Sequence, residues 1–380
     1  MNRAARRAGI VAGVAGLVAA GAAVGLAAER YAIGRIRGAG PDEAAGEPFG
    51  RLPADRIRTV HTEDSIPLHV EEVGPAGAPL TVVFVHGYAL SMGSWHFQRI
   101  GLPDMRNPRI RMVFYDQPGH GRSGRLPAGE YNLEALGHAL HRVIETVAPT
   151  GPLVLVGHSM GGMTIMALAE NHPELFTERV VGVAFLNTSA GNLDEVTFGL
   201  PDMIARIRRP LMPMLTGVNR LTPTMVERAR RVSSDLAWLL TRRYGFGSEN
   251  PSAALVSYVE EMNSRTSVDV IVGYLRTLFE HLRHDALATL EGIETLVVGG
   301  EKDLITPKEH SEEIARLLPG AELVIIPDGG HVALMEYHEE VTDHLVSLLT
   351  RASKSHTTNQ LAVARRARRR PGLFWRRRAQ

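Results

Sequence analysis

The sequence predicts a doubly wound, mainly parallel α/β sheet with an inserted helical cap. Three patterns point there. Short apolar runs alternate with stretches of helical spacing, as expected when strands are covered by helices on both faces. Two extended segments open the alternation with no helix between them. One later stretch of about 100 residues has no strand-like run, and a structureless loop of that length does not belong in a compact domain.

The opening pair is RIRTVHT, from Arg56, and IPLHVEEV. They flank Asp64-Ser65 and read as an antiparallel start. LTVVFVHG is a buried strand, and RIRMVFYDQPGHG holds the next. Leu133 to Val147 repeats apolar residues at helical spacing. LVLVGHS is a strand feeding a helix from Met160 to Glu170. VVGVAFLNTS, TLVVGGEKD and LVIIP are further strands, and helices fit Pro307–Leu318 and Val332–Thr350. The core therefore takes residues 56–189 and 289–351, and the cap takes 190–288. The cap carries Met203, Met212, Met214, Met225 and Met262 among many leucines. Methionine adapts to varied apolar shapes, so some of these would line a pocket for apolar acyl groups, although core packing is the simpler role for most.

The ends of the chain differ from this body. Hydrophobic residues are 44% and charged residues 22%, which excludes disorder for most of the length. The net charge of +1 conceals +9 over residues 352–380 and −10 over residues 51–351. An acidic body argues against nucleic acid as a partner and leaves the tail as a separate element. ARRARRRPGLFWRRRAQ reads as a solvated tail or, with its aromatic–aliphatic cluster, as a membrane-surface element. Residues 1–37 hold 21 uncharged positions, Ala8 to Ala28, enough to span a bilayer as a helix. They are expected to anchor the protein in a membrane; a cleaved secretory signal is the alternative. Residues 38–55 are rich in Gly, Pro and Ala and read as a linker.

The chemistry centres on Gly157-His158-Ser159-Met160-Gly161, which fits G-x-S-x-G between a strand and a helix. A strand can turn into a helix that abruptly only if small residues flank the serine, and the turn presents the hydroxyl at the sheet edge. Serine needs a base, and the base an orienting acid. Asp303 follows the strand TLVVGG and His331 follows LVIIP, so both lie at carboxyl ends of strands, where open α/β sheets form sites. Asp194, after the preceding strand, is the backup acid. The oxyanion donors are expected from the backbone N–H of Met160 and of Tyr88, in the loop His86-Gly87-Tyr88. His86, His158 and His120 read as structural. With no cysteine, disulfides, thiol nucleophiles and thiolate metal sites are excluded. His138/His141 and His281/His284 lack the acid of a metal motif, and no phosphate or dinucleotide loop is present, so neither a metal nor a cofactor is implied.

The strings VHGYALSMGSWHFQ, FYDQPGHGRSG, VGHSMGG, GGEKDLITP and PDGGHVALME resemble the α/β-hydrolase superfamily, in particular lipase- and esterase-like members with a helical cap. The resemblance covers about residues 56–350 and implies Ser159 as nucleophile, Asp303 as acid, His331 as base, and Tyr88 and Met160 as oxyanion donors. His338 departs from the proline common in relatives, away from the catalytic positions. The implied activity is hydrolysis of a small-molecule carboxylic ester through an acyl-enzyme. Other hydrolyses on the same triad (C–C bond, thioester or amide), cofactor-free perhydrolysis, and a non-catalytic binding role are the alternatives.

Overall fold

The computed structural model describes residues 42–197, residue 199 and residues 234–368. The expected anchor, residues 1–37, lies outside the described residues, as do Met203, Met212, Met214 and Met225. Among the described residues, no helix is long and apolar enough to cross a membrane.

The strands are β1 Arg56–His61, β2 Pro67–Val73, β3 Leu80–Val85, β4 Ile110–Tyr115, β5 Leu153–His158, β6 Val180–Leu186, β7 Glu294–Gly300 and β8 Glu322–Ile326. They form one sheet of order β1-β2-β4-β3-β5-β6-β7-β8. β1 pairs with β2, and β2 with β4, antiparallel; all other pairings are parallel. The strand order reverses between β3 and β5. Loops leaving the carboxyl ends of those two strands diverge, and a crevice opens there.

Both faces are covered, which is why the central strands are apolar at most positions on both sides. Along β3, Val82 and Phe84 face one core and Val83 and Val85 the other. The first core is closed by the helix His338–Arg368, through Val341, Leu345, Leu348, Leu349 and Ala352. The second is closed by the helix Leu133–Val147, through Leu140, Val143 and Ile144, and by the helix Met160–Asn171. Asn132 starts the first of these two helices by accepting a hydrogen bond from Ala135 N–H at 2.8 Å.

Two boundaries differ from expectation. The helix expected over Val332–Thr350 is a short turn, Ala333–Glu336, followed by one helix from His338 to Arg368. It runs through residue 352, where a tail was expected, because Ala352 is fully buried and packs against Gly182 of β6. Residues 42–52 are also not a free linker. Asp42 accepts from Ser252 Oγ at 2.5 Å and from Ala254 N–H at 2.8 Å, at the start of the helix Ala253–Arg265. Phe49 stacks on Tyr258 of that helix with ring centroids 4.5 Å apart. Between β6 and β7, the described part of the cap consists of the helices Ser234–Gly245, Ala253–Arg265 and Val268–Phe279.

Candidate active site

Ser159 sits between β5 and the helix Met160–Asn171 with φ 51° and ψ −121°. A non-glycine residue in such a region costs on the order of 1–3 kcal/mol and persists only when its surroundings hold it. Here Ser159 N–H donates to Leu186 O at 3.0 Å, and its carbonyl accepts from Thr188 Oγ1 at 2.7 Å. The flanking glycines are required by contact. A Cβ on Gly161 would lie 2.0 Å from Val85 O at the end of β3, and one on Gly157 would lie 2.6 Å from Gly162 N. The helix start can reach the crevice only without those side chains.

The other two residues converge on this hydroxyl. Ser159 Oγ–H donates to His331 Nε2 at 2.9 Å, and His331 Nδ1–H donates to Asp303 Oδ2 at 2.9 Å. Asp303 is held from every side. Its Oδ1 accepts from the backbone N–H of Ile305 at 2.8 Å and of Thr306 at 3.0 Å; its Oδ2 also accepts from Thr306 Oγ1 and Asn187 Nδ2, both at 2.9 Å. Burial opposes its ionisation, yet the neighbouring His331 charge and these hydrogen bonds outweigh burial and keep its pKa below the usual aspartate value. Asp194 is exposed on the turn Leu193–Glu195, and the arrangement favours Asp303 over it.

Tyr88 and Met160 flank Ser159 on the two loops of the crevice. Among the described residues, neither backbone N–H has an acceptor, so both are free to donate to an oxyanion. The neighbouring histidines hold the loops. His86 Nε2 accepts from Gln117 N–H at 2.9 Å, and burial pushes its pKa down to about 4. His120 Nε2 accepts from Ala89 N–H at 3.2 Å. His158 Nε2–H donates to the carbonyl of His331 at 2.8 Å, which fixes the loop carrying His331. Burial, reinforced by the His331 charge, pushes the His158 pKa down to about 3, so the ring stays neutral.

Ser159 and His331 open into a cavity of about 560 Å³ between the core and the cap. Its wall is largely apolar, with Leu90, Met163, Leu193, Val259, Leu278 and Phe279. Met262 is packed in the hydrophobic core and is not part of this wall.

A family model described as the alpha/beta hydrolase fold matches residues 81–337. The chain belongs to the α/β-hydrolase fold family. Curated relatives include the dihydrolipoyllysine-residue acetyltransferase component of the acetoin cleaving system of Pseudomonas putida, 30% identical over 285 residues. That match covers 73% of this chain and 64% of the relative, less than two thirds of its length. An sn-1-specific diacylglycerol lipase of Mus musculus is 26% identical, over 73% of this chain and 82% of the lipase. A solved thermophilic esterase from Thermogutta terrifontis superposes with a TM-score of 0.60 at 26% identity, over 78% of this chain and 99% of the esterase. This α/β-hydrolase thus has lipase and esterase neighbours alongside an acyltransferase component, so the family alone leaves the bond it cleaves open.

Two residues of this hydrolase's site escaped the sequence reading. Asn187 follows β6 and links Asp303 to the carbonyl of Gly330. Thr306 lies three residues after Asp303 and brings its hydroxyl to within 3.3 Å of His331 Nδ1 as well. The strand-end rule that found Asp303 and His331 also covers Asn187, at the end of β6, which lies between the strands leading to Ser159 and to Asp303. Thr306 had a weaker signal: a Thr just after an Asp in a turn.

Proposed function

We propose that this α/β-hydrolase cleaves carboxylic esters through an acyl-enzyme on Ser159. The observation that carries the reading is the hydrogen-bonded row Ser159–His331–Asp303 opening into an apolar cavity. Ser159 Oγ attacks the ester carbonyl carbon while its proton passes to His331 Nε2. The carbonyl oxygen becomes an oxyanion and takes the N–H groups of Tyr88 and Met160. Collapse breaks the bond to the alcohol oxygen, which leaves with the proton from His331. Water then attacks the acyl group, giving its proton to His331, and Ser159 is released with a free acid. Asp303 keeps the imidazole proton on Nδ1 and stabilises the transient cation.

A fluorophosphonate should label Ser159 alone, and Ser159→Ala should lower ester turnover by several orders of magnitude with the fold retained. Labelling at another serine would overturn the assignment. Turnover of thioesters or amides with no ester hydrolysis would move the reaction to another bond. Membrane attachment through residues 1–37 rests on the apolar run in the sequence. It requires the full chain to stay with membranes in a high-salt wash and the chain lacking residues 1–37 to be released.

A further inference from the structure

Tyr88 ties the loop after β3 to the cap. Its backbone N–H lies on that loop beside Ser159, while its phenol donates to Ile271 O at 2.5 Å, inside the cap helix Val268–Phe279. A carbonyl has two lone pairs, so Ile271 can take this bond and keep its helical one. The next residue, Ala89, has φ 57°, a left-handed conformation that a residue with a Cβ keeps only when its neighbours impose it. The cap supplies part of that constraint. Thr266, between the helices Ala253–Arg265 and Val268–Phe279, donates through Oγ1 to Ala89 O at 3.1 Å. Ala89 N–H donates to His120 Nε2, and the His120 ring stacks on Tyr274 of the same cap helix with centroids 5.7 Å apart. Met160 is supported differently. Its N–H opens the helix Met160–Asn171, which packs in the core with Leu140, Val143 and Ile144.

On the ester-hydrolase reading above, we propose that the Tyr88 side chain is a positioning residue. Anchored on Ile271, it aims the Tyr88 N–H at the developing oxyanion, and Thr266 is a second hold from the cap on the same loop. The two donors of the oxyanion hole then have separate supports, Met160 from the core and Tyr88 from the cap. A donor contributes fully only at about 2.7–3.1 Å from the place the oxyanion will occupy. Without the phenol bond, the loop can relax from the left-handed turn at Ala89, and the Tyr88 N–H turns with it. The cap thereby acts on turnover as well as covering the cavity.

The test uses the full chain as wild type, Tyr88→Phe and Thr266→Val, with p-nitrophenyl hexanoate as substrate and 1,1,1-trifluorooctan-2-one as inhibitor. Ser159 Oγ adds to the ketone carbon, its proton passes to His331 Nε2, and the carbonyl oxygen becomes an oxyanion, so the inhibitor reports the same contact as the transition state. Deleting an oxyanion donor costs about 10²–10³-fold in kcat, and a donor displaced but not deleted should cost about 10–100-fold. Tyr88→Phe should lower kcat by that smaller factor with KM within about twofold of wild type, and should weaken the trifluoroketone to a similar degree. Acylation and deacylation both pass through an oxyanion, so the loss appears whichever step limits turnover. The pH profile of kcat/KM should keep its midpoint, because the Ser159–His331–Asp303 row is untouched. Thr266→Val should move kcat and inhibitor affinity in the same direction by a smaller factor, and it decides the matter if a thermal melt shows that Tyr88→Phe does not fold. A kcat within about threefold of wild type in Tyr88→Phe, a change confined to KM, a shifted pH midpoint, or a lower kcat with unchanged trifluoroketone affinity overturns the proposal and leaves the ester-hydrolase reading standing. Should wild-type protein hydrolyse no ester and fail to label at Ser159 with a fluorophosphonate, that reading falls, and this proposal with it.

Discussion

Replacing Asp303 by asparagine tests the site most directly, because the two oxygens of Asp303 have different partners. Oδ1 accepts two backbone N–H groups, and Oδ2 accepts His331 Nδ1–H, Thr306 Oγ1–H and Asn187 Nδ2–H. An amide has one oxygen. The backbone donors of Ile305 and Thr306 cannot turn away, so the oxygen must face them and the new NH₂ must face His331. That NH₂ donates to Nδ1, and the imidazole proton moves to Nε2. Nε2 then points a proton at Ser159 Oγ and can no longer accept one. The loss of the productive tautomer should lower kcat by up to about 10⁴-fold, or roughly 5.5 kcal/mol in the barrier. The effect on KM should be small, since Asp303 does not line the cavity. Asn187 keeps Gly330 O at 3.0 Å, and Thr306 can reverse its hydroxyl, so stability should fall by no more than about 1–3 kcal/mol. The assay is steady-state hydrolysis of p-nitrophenyl butyrate, with a urea melt of each variant. Asp303→Asn within about tenfold of wild type, or an equal loss in Asp194→Asn, would refute the reasoning.

Three further outcomes are expected. Gly161→Ala puts a methyl group 2.0 Å from a backbone oxygen of β3 and should destabilise the fold by at least about 3 kcal/mol; a wild-type urea midpoint would show that the elbow is not packed as described. Glu71 is buried, which opposes ionisation, but hydrogen bonds from His69 and Arg99 and the charges of Arg99 and Arg122 hold its pKa near 2 against an ordinary 4.5. The native state therefore binds that proton later than the unfolded chain, so the contribution is complete above about pH 4.5 and is lost as pH falls towards 2. Urea midpoints should fall more steeply over that window in wild type than in Glu71→Gln, and parallel curves would count against it. The apolar cavity should favour acyl chains of six or more carbons over acetate, read as kcat/KM across p-nitrophenyl esters; a steady decline from two carbons upward would be the contrary result.

The strands, the serine turn and the strand-end positions of the candidate acid and base were legible because each depends on local chemistry. Apolar runs record burial on both sheet faces, Gly161 records how closely the helix start must approach β3, and Gly157 how tightly β5 turns into that helix. Asp303 and His331 could be placed because loops after parallel strands share one edge. What depends on partners distant in sequence could not be read this way. Asn187 reaches Asp303 across 116 positions, and only the adjacency of β6 and β7 makes them neighbours. Residues 42–52 look like a linker by composition, yet Asp42 and Phe49 are held by a helix some 200 residues later. The polar residues after Thr350 read as the end of a helix, but buried Ala352 continues it against Gly182. In the cap, Thr241 and Asn263 look like ordinary surface polar residues of two helices. Only the packing of those helices over Ser159 turns them into part of a cavity wall, because a helix sequence specifies which side is apolar but not which neighbour it will meet.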